Sequence, residues 1–229
     1  AMQAALQLDT DYIVLPEDAR YFDQRQDVAI ERAKFAFRTE NKEVIIVDSG
    51  RASEDDRAVV QSFVYNGQSR TVDQTHKRYL VPQGEFMPTL YTKFLKLFGK
   101  DEAIDKVART IAYEIGSDTD QSDFSSSSPG MLFCFEIVSP WGVRSIMKER
   151  GSVPFIAHPM SHAWFHDSKP LQNQLSSMLR TQAVWNQEFI VGAGNQIKGF
   201  VVNPNGTIEH PPLVATGDRW SVSVTTIVR

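Results

Sequence analysis

Asn186 and Glu188 are the residues whose types and spacing best suit a chemical step, and they precede a Gly-Ala-Gly turn at residues 192–194. If this segment is a strand, side chains two residues apart point to the same face of the sheet. A single carboxylate beside a neutral amide can stabilise positive charge that develops in a substrate, without repulsion from a second acid. The spacing therefore predicts a catalytic pair made by Glu188 and Asn186.

Three histidines, His158, His162 and His166, follow one another at four-residue intervals. On a helix, two neighbours at this spacing could share a zinc ion. All three could not, because eight residues of helix separate the outer two by about 12 Å along the axis. Pro159 and the surrounding aromatic residues favour a structured loop. A zinc hydrolase, a pocket-lining role and a purely structural role therefore all stay open.

The single cysteine, Cys134, lies in an apolar run at residues 131–135. One thiol excludes an internal disulfide. Its apolar setting predicts a buried structural group, because a catalytic thiol would more often lie at a turn or at the start of a helix.

The composition predicts an ordered globular chain. Hydrophobic residues make up 41% of the 229 residues and charged residues 23%, which is enough apolar material for a core. The net charge of −4, without a dense basic block, argues against a nucleic-acid partner. No run of about 18 apolar residues is present, so neither a membrane span nor a membrane partner is expected.

Periodicity and turn signals place strands and helices around these residues. Strands are predicted at residues 43–48, 79–81, 86–91, 131–138, 187–191, 197–203 and 219–228. Helices are predicted from about Gln26, at 53–66, at 101–115 and at 171–184, with a turn at 49–53 and an irregular loop at 140–170. Helices come first and paired strands last, an order that favours an α+β fold over a doubly wound sheet.

These segments, taken in order, resemble the NAD-binding core of the cholera- and pertussis-type bacterial mono-ADP-ribosyltransferases. In that family a first strand ends in a turn similar to Asp48–Arg51, and a second strand carries a Ser or Thr, as at Thr89. A third strand ends at a loop over the cofactor, as residues 132–142 would, and the last motif is similar to 186–188. The resemblance implies an ADP-ribosyltransferase-like split β-sandwich with flanking helices. It also implies a single domain, 1–229, with an N-terminal helical extension at 1–42 and a transferase core at 43–229.

The same resemblance implies that NAD is a substrate and assigns roles around it. Glu188 would face the ribose that becomes cationic as nicotinamide leaves. Arg51, or alternatively Arg20, would bind the phosphates, because a guanidinium can contact them in bidentate fashion. Thr89 would brace the site, and Trp185 would recognise the protein substrate.

The resemblance also implies a kind of acceptor. Family members that modify arginine have an acid where this chain has Asn186, so a Thr or Ser hydroxyl is the expected acceptor, with host ubiquitin as one candidate protein. The chain would then be a secreted bacterial effector or toxin that acts in the cytoplasm of a host or target cell. Two alternatives stay open, namely a non-catalytic protein-binding module of the immunity type and an NAD glycohydrolase.

Overall fold

A computed structural model describes most of the chain. The described residues are 1–21, 44–54, 57–67, 69, 71–82, 84–102, 104, 113–163 and 168–228. They form two β-sheets, a separate hairpin and several helices. Within these ranges, every helix is too short or too polar to cross a bilayer.

The first sheet has four strands whose spatial order follows their order in the chain. They are β1 (Tyr12–Val14), β2 (Ile45–Glu54), β3 (Arg57–Asn66) and β4 (Thr71–His76). β1 is parallel to β2, whereas β2, β3 and β4 are joined as antiparallel neighbours. β2 and β3 pair along their whole length, which brings the ends of β1 and β4 to the neighbourhood of the second sheet described next.

The second sheet has five strands in chain order. They are β5 (Gly130–Met131), β6 (Ile156–Ser161), β7 (Ile190–Asn195), β8 (Ile197–Val202) and β9 (Ile208–Glu209). β5, β6 and β7 are parallel, and β7, β8 and β9 are antiparallel. A separate hairpin is formed by β10 (Leu213–Gly217) and β11 (Trp220–Ser223).

Four α-helices and one short 3₁₀ helix complete the described structure. The α-helices are α1 (Met2–Leu6), α2 (Thr89–Leu97), α3 (Gly142–Arg150) and α4 (Lys169–Asn186). The 3₁₀ helix, Cys134–Val138, follows β5 after two residues. α4 carries a proline in its first turn, where no amide hydrogen is needed, and ends at Gln187 in the left-handed conformation.

Successive residues of a strand pack into different hydrophobic cores. Ala157 of β6 packs with Ile45 and Val47 of β2 in a core between the two sheets. Its neighbour Ile156 points the other way, into a core shared with α3 and α4. Ile46 of β2 likewise points outward, into a core shared with α1. The described residues therefore form a layered α-β-β-α arrangement, since successive strand residues face opposite layers.

Several sequence predictions are confirmed. The predicted helix at 171–184 is α4, and the predicted strand at 197–203 is β8. The predicted strand at 187–191 is confirmed only at residues 190 and 191, because β7 begins at Ile190 and continues through the predicted turn at 192–194. The predicted strand at 43–48 is the first part of β2, and that at 219–228 overlaps β11. The division into a helical extension at 1–42 and a core stays a prediction. Its helix from Gln26 lies outside the described residues, as does most of the helix predicted at 101–115.

Other secondary-structure predictions are wrong. The predicted helix at 53–66 is strand β3, because its valines and aromatic residues pair with β2, which also extends through the predicted turn at 49–53. The predicted strand at 131–138 ends at Met131 and gives way to the 3₁₀ helix. Residues 79–81 are not in a strand, and 86–91 lead into α2. The predicted loop at 140–170 contains α3 and β6.

Candidate active site

Lys77 places a buried ammonium group between two carboxylates, immediately after the end of β4. Its Nζ lies 2.6 Å from Oε1 of Glu85 and 3.3 Å from Oε1 of Glu17. Only 1% of the Lys77 side chain is exposed, against 12% for Glu17 and 15% for Glu85. A buried charge is tolerated only when opposite charges and hydrogen bonds compensate it, and the two acids supply both.

Glu17 reaches this site because β1 carries the chain to the junction of the two sheets. The backbone amide of Leu15 donates to the carbonyl of Val47, which continues the pairing of β1 with β2. The backbone amide of Glu17 then donates to the carbonyl of Met160 in β6, and the Asn195 side chain donates to the Glu17 carbonyl at 2.9 Å. Glu17 is therefore fixed by backbone contacts with the second sheet, and its side chain is left for Lys77.

Glu85 is held by the turn that follows Lys77. Its backbone amide donates to the carbonyl of Val81, and its Oε2 accepts the backbone amide of Val81 at 2.7 Å. One carboxylate oxygen therefore orients the side chain, and the other contacts Lys77. This arrangement makes Glu85 the closer counterion of Lys77 and leaves Glu17 as the acid with the looser contact.

Cys134 joins these three residues from the other side. It is the first residue of the 3₁₀ helix, and its thiol is close enough to the Glu17 carboxylate for each group to shift the pKa of the other. Its Sγ lies 3.8 Å from the carbonyl oxygen of Ser161, at the end of β6. A thiol, two carboxylates and an ammonium group therefore lie in one cluster, which we call the Glu-Lys-Cys site (Glu17, Lys77, Glu85 and Cys134).

The electrostatics of this site keep the thiol protonated at rest. Burial raises the pKa of Cys134 to about 12, and the neighbouring Glu17 carboxylate adds to the effect. Burial also raises the pKa of Glu17 above its ordinary value of 4.5, although Lys77 opposes this. Burial would lower the pKa of Lys77, but the charges of Glu17 and Glu85 outweigh it and raise the pKa. Lys77 is therefore a permanent cation, and Glu17 is a base within reach of the thiol proton.

Glu136 ties the segment after Lys77 to the segment around Cys134. Its side chain is buried and accepts three backbone amides, those of Phe133 at 2.8 Å, Arg78 at 2.5 Å and Tyr79 at 3.2 Å. Arg78 is fixed in turn by a bidentate ion pair with Glu149 of α3. Glu136 therefore sets the spacing between the thiol and the ammonium group without contacting either.

We expect Glu136 to make stability depend on pH between about 4.5 and 7. Burial raises its pKa from 4.5 to about 7, so the folded protein binds more protons than the unfolded chain in this window. The free energy of unfolding therefore falls as the pH rises through it, by about 1.4 kcal/mol for each unit of pKa difference. Urea unfolding at pH 5 and pH 7.5 should show that this slope is smaller in Glu136→Gln. Equal slopes in the two proteins would contradict the assignment.

His158 supports the same segment from β6. Its side chain is fully buried, and its Nδ1 lies 2.7 Å from the carbonyl oxygen of Leu132, two residues before Cys134. Burial lowers its pKa to about 4, so the imidazole is neutral at physiological pH. A neutral ring with a fixed backbone contact indicates a positioning role. Among the described residues no cluster of three potential metal ligands occurs, and His166 lies outside them.

An apolar cavity of about 360 Å³ adjoins these segments. Most of its walls come from the segments just after Lys77 and Cys134, and Phe86 and Ile115 complete them. The lining residues are Arg78, Tyr79, Leu80, Phe86, Ile115, Phe135, Val138 and Ser139. Because most of these side chains are apolar, the cavity suits a hydrocarbon group rather than a phosphate or a sugar.

Asn186 and Glu188 do not form the pair that their spacing predicted. Asn186 is the last residue of α4 and donates to the carbonyl of Gln182, whereas Gln187 turns the chain with a φ of 55°. Glu188 is buried before β7 begins at Ile190, and its backbone amide donates to Ala183. The two residues are therefore not on one face of a strand, because a helix end lies between them.

Of the other predicted site residues, only Arg20 and Arg51 lie near each other. Arg20 and Arg51 both contact Asp18, at 2.5 Å and 3.4 Å, and both are largely exposed. Thr89 is the first residue of α2, and Trp185 is exposed on α4. The structure brings Arg20 and Arg51 together around one acid and places neither beside Glu188 in any described contact.

Sequence reasoning missed Glu17, Lys77 and Glu85, and it interpreted Cys134 as structural. A signal was available in their positions. Glu17, Lys77 and Cys134 each follow a strand by one to three residues, after β1, β4 and β5. Polar and nucleophilic groups at strand ends are commonly exposed to a shared cleft, because strand ends meet at one edge of a sheet.

Several solved structures have a fold similar to that of this chain. The chain is similar to a carbon-nitrogen hydrolase from Helicobacter pylori G27, with a TM-score of 0.59, 15% identity, and coverage of 90% of this chain and 75% of that one. It is also similar to a Glu-to-Gln variant of the amidase from Nesterenkonia sp. AN1, in which the acetamide moiety of fluoroacetamide is added covalently at the active-site cysteine. That match has a TM-score of 0.60, 14% identity, and coverage of 90% and 75%.

A Cys-to-Ala variant of the same Nesterenkonia amidase, described as a member of the nitrilase superfamily, matches with a TM-score of 0.56 and 14% identity over 90% of this chain and 74% of that one. No protein-family model matches the chain, and neither does any curated protein. At these identities the likeness establishes the fold, which is that of the nitrilase-superfamily amidases.

The likeness to these structures contradicts the ADP-ribosyltransferase interpretation of the sequence. The predicted ADP-ribosyltransferase-like split β-sandwich is wrong, because the solved structures that match are carbon-nitrogen hydrolases and amidases. NAD as substrate and ADP-ribose transfer by a toxin that modifies ubiquitin are contradicted with it. ADP-ribose transfer was the reaction for which roles were assigned to Glu188, Asn186, Arg51, Arg20 and Thr89, so those roles no longer apply. Recognition by Trp185, a protein acceptor and a secreted location stay predictions from sequence.

Proposed function

We propose that this protein is a thiol-dependent hydrolase of carbon-nitrogen bonds in amides, with Cys134 as its nucleophile. The observation that carries the proposal is the placement of Lys77 Nζ between Glu17 and Glu85, with the Cys134 thiol next to the Glu17 carboxylate. The likeness to amidases that react through an active-site cysteine supports the same chemistry. The fold and the site are independent observations, and both favour hydrolysis of a carbon-nitrogen bond.

Glu17 acts as the general base in the first step. Because the resting thiol is protonated, its proton must leave as the sulfur attacks, and the neighbouring Glu17 carboxylate is the group that accepts it. The sulfur forms a bond to the carbonyl carbon of the amide, and the carbonyl oxygen gains the negative charge. The Lys77 ammonium group lies beside this centre and stabilises the oxyanion.

The carbon-nitrogen bond then breaks, and the leaving nitrogen takes the proton held by Glu17. This first half-reaction produces a thioester of Cys134 and releases an amine or ammonia. Water attacks the thioester with Glu17 again as the base, and the carboxylic acid leaves while the thiol regains its proton. Glu85 keeps Lys77 in place throughout, because its Oε1 lies 2.6 Å from the Lys77 Nζ.

The apolar cavity indicates the kind of acyl group. Two of the residues that line it, Arg78 and Phe135, are the immediate chain neighbours of Lys77 and Cys134, so we propose that this apolar volume receives a hydrocarbon chain attached to the reacting carbonyl. Burial of each methylene contributes about 0.8 kcal/mol. We therefore propose that amides with an apolar acyl chain are better substrates than acetamide.

The experiment is an ammonia-release assay with primary amides of increasing acyl length. We expect turnover that Glu17→Gln reduces by at least about a hundredfold in kcat, since an amide cannot accept the thiol proton. Glu209→Gln, at an exposed acid of β9, is the matched control and should retain activity. We also expect kcat/KM to rise roughly threefold to fourfold for each added methylene until the cavity is full. Absence of turnover on every amide, or full activity in Glu17→Gln, would contradict the proposal.

A further inference from the structure

Two arginines share one acid beside the Glu-Lys-Cys site. The acid is Asp18, the residue directly after Glu17. Its carboxylate contacts Nε of Arg20 at 2.5 Å and Nε of Arg51 at 3.4 Å. The side chain of the acid is 30% exposed, and those of the arginines are 40% and 44% exposed. Two guanidinium groups are therefore accessible next to the chain segment that carries the general base.

The pairing of the strands places Arg51 and Lys77 on the same face of the first sheet. Arg51 of β2 pairs with Val60 of β3, and the backbone amide of Lys77 donates to the Val60 carbonyl. Residues paired across strands point to one face, and two strand spacings of about 4.8 Å separate the two backbones by about 10 Å. This face is turned to the second sheet, because Val47, four residues before Arg51, packs in the core between the sheets. Arg51 is therefore on the side of the sheet that carries the site.

Tyr113 connects Arg51 with the other acid of the site. The guanidinium carbon of Arg51 lies 5.2 Å from the centre of the Tyr113 ring, and the backbone amide of Tyr113 donates to the Glu85 carbonyl at 2.9 Å. Stacking on a ring orients a guanidinium without engaging its N–H donors. Glu114 follows Tyr113 in an extended segment, so its side chain points to the opposite side. Arg51 is therefore oriented by an aromatic ring on one side and by Asp18 on the other.

The turn that carries Arg20 is held in an unfavourable backbone conformation. Asp18 and Arg20 have φ values of 60° and 51°, in the left-handed region that few non-glycine residues adopt. Two contacts with Ser49 of β2 hold the turn there. The backbone amide of Asp18 donates to the Ser49 hydroxyl at 3.1 Å, and that of Arg20 donates to the Ser49 carbonyl at 3.1 Å. Backbone strain of this kind clusters at ligand sites, where the surrounding structure fixes it.

We propose that Arg51 and Arg20 bind a carboxylate on the amine side of the substrate, so that the protein hydrolyses N-acyl amino acids. This inference rests on the proposed function and adds the identity of the leaving group. A guanidinium matches a carboxylate in bidentate geometry. The two arginines are separate from the residues that line the apolar cavity, so the acyl chain and the carboxylate have different places. Water and the N-acyl amino acid give a carboxylic acid and a free amino acid, whose nitrogen takes the proton that Glu17 accepted from the thiol.

The test compares three amides of one acyl chain, namely hexanoylglycine, hexanoylethanolamide and hexanamide. All three release hexanoate, which chromatography measures, and the first two differ chiefly in the carboxylate. We expect kcat/KM for hexanoylglycine to exceed that for hexanoylethanolamide by at least about tenfold, as hydrogen bonds to a charged group do. Arg51→Gln should bring this ratio close to one, mainly through KM. Arg51→Lys should restore part of the ratio, because it keeps the charge without the bidentate geometry.

The matched control is Arg219→Gln, at an exposed arginine between β10 and β11, and it should keep the ratio of the unchanged protein. Circular dichroism verifies that the Arg51 variants are folded. Equal kcat/KM for the glycine and ethanolamine compounds, or a ratio that Arg51→Gln leaves unchanged, overturns this inference, and turnover of hexanamide would still support the proposed function. Absence of turnover on all three compounds contradicts the proposed function and this inference with it.

Discussion

Cys134→Ala will abolish amide hydrolysis and leave the protein folded. The thiol is the nucleophile of the proposed mechanism, so its loss should reduce kcat by at least about 10³-fold. Cys134→Ser should be almost as inactive, because a hydroxyl is a far weaker nucleophile than a thiol next to the same base. Steady-state kinetics on the best amide measures both variants.

The fold should tolerate these changes because Cys134 is partly exposed at the start of a short helix. We expect a loss of about 1 kcal/mol or less in the free energy of unfolding. Thermal unfolding and circular dichroism of Cys134→Ala separate loss of chemistry from loss of structure. Retention of more than about a tenth of the activity by this variant would remove Cys134 from the mechanism.

Lys77→Met will destabilise the protein strongly and in a pH-dependent way. The variant removes the cation but leaves Glu17 and Glu85 facing each other with little solvent, and breaking a buried ion pair in this manner costs about 3–5 kcal/mol. Burial raises the pKa of Glu17, so this carboxyl can take up a proton at pH 5 and relieve the repulsion, whereas at pH 8 it is more fully charged. The loss should therefore be greater at pH 8 than at pH 5.

Urea unfolding at the two pH values measures this effect. Lys148→Met, at an exposed lysine of α3, is the matched control and should change the free energy of unfolding by no more than about 0.5 kcal/mol. A loss below about 1 kcal/mol for Lys77→Met at both pH values would show that the ammonium group is not holding the two acids. Activity should be lost as well, since no cation would remain beside the developing oxyanion.

The regular elements that could be predicted from sequence are those with strong local signals. α4 has a proline in its first turn and apolar residues at helical spacing, and β7 and β8 are joined at a short turn after Gly194. β3 was missed because Ser53 and the following acids were interpreted as a helix start. This segment is a strand because it pairs with β2 along its whole length, and no local sequence pattern indicates that pairing.

The candidate site could not be found from local spacing. Lys77 and Glu17 are 60 residues apart in the chain, and they meet only because β1 and β4 belong to one sheet that packs on another. Asn186 and Glu188 were chosen because they are neighbours in sequence, which is the kind of proximity that spacing detects. A site assembled from the ends of strands in two sheets is set by tertiary packing.

Cys134 shows how one secondary-structure assignment changed the functional interpretation. Within a predicted strand at 131–138 the thiol was expected to be structural. β5 ends at Met131, however, and Cys134 begins the 3₁₀ helix. The thiol therefore lies at the start of a helix, which is the position that the sequence argument itself associates with a catalytic cysteine.

The most direct measurement is the intact mass of the protein after reaction with fluoroacetamide. Because the chain has one cysteine, any thiol adduct reports Cys134 alone. We expect one acetamide group on the folded protein and a much slower reaction in the urea-unfolded protein, since the unfolded chain lacks the positioned base. Equal labelling of folded and unfolded protein, or no labelling of the folded protein, would contradict an activated thiol at the Glu-Lys-Cys site.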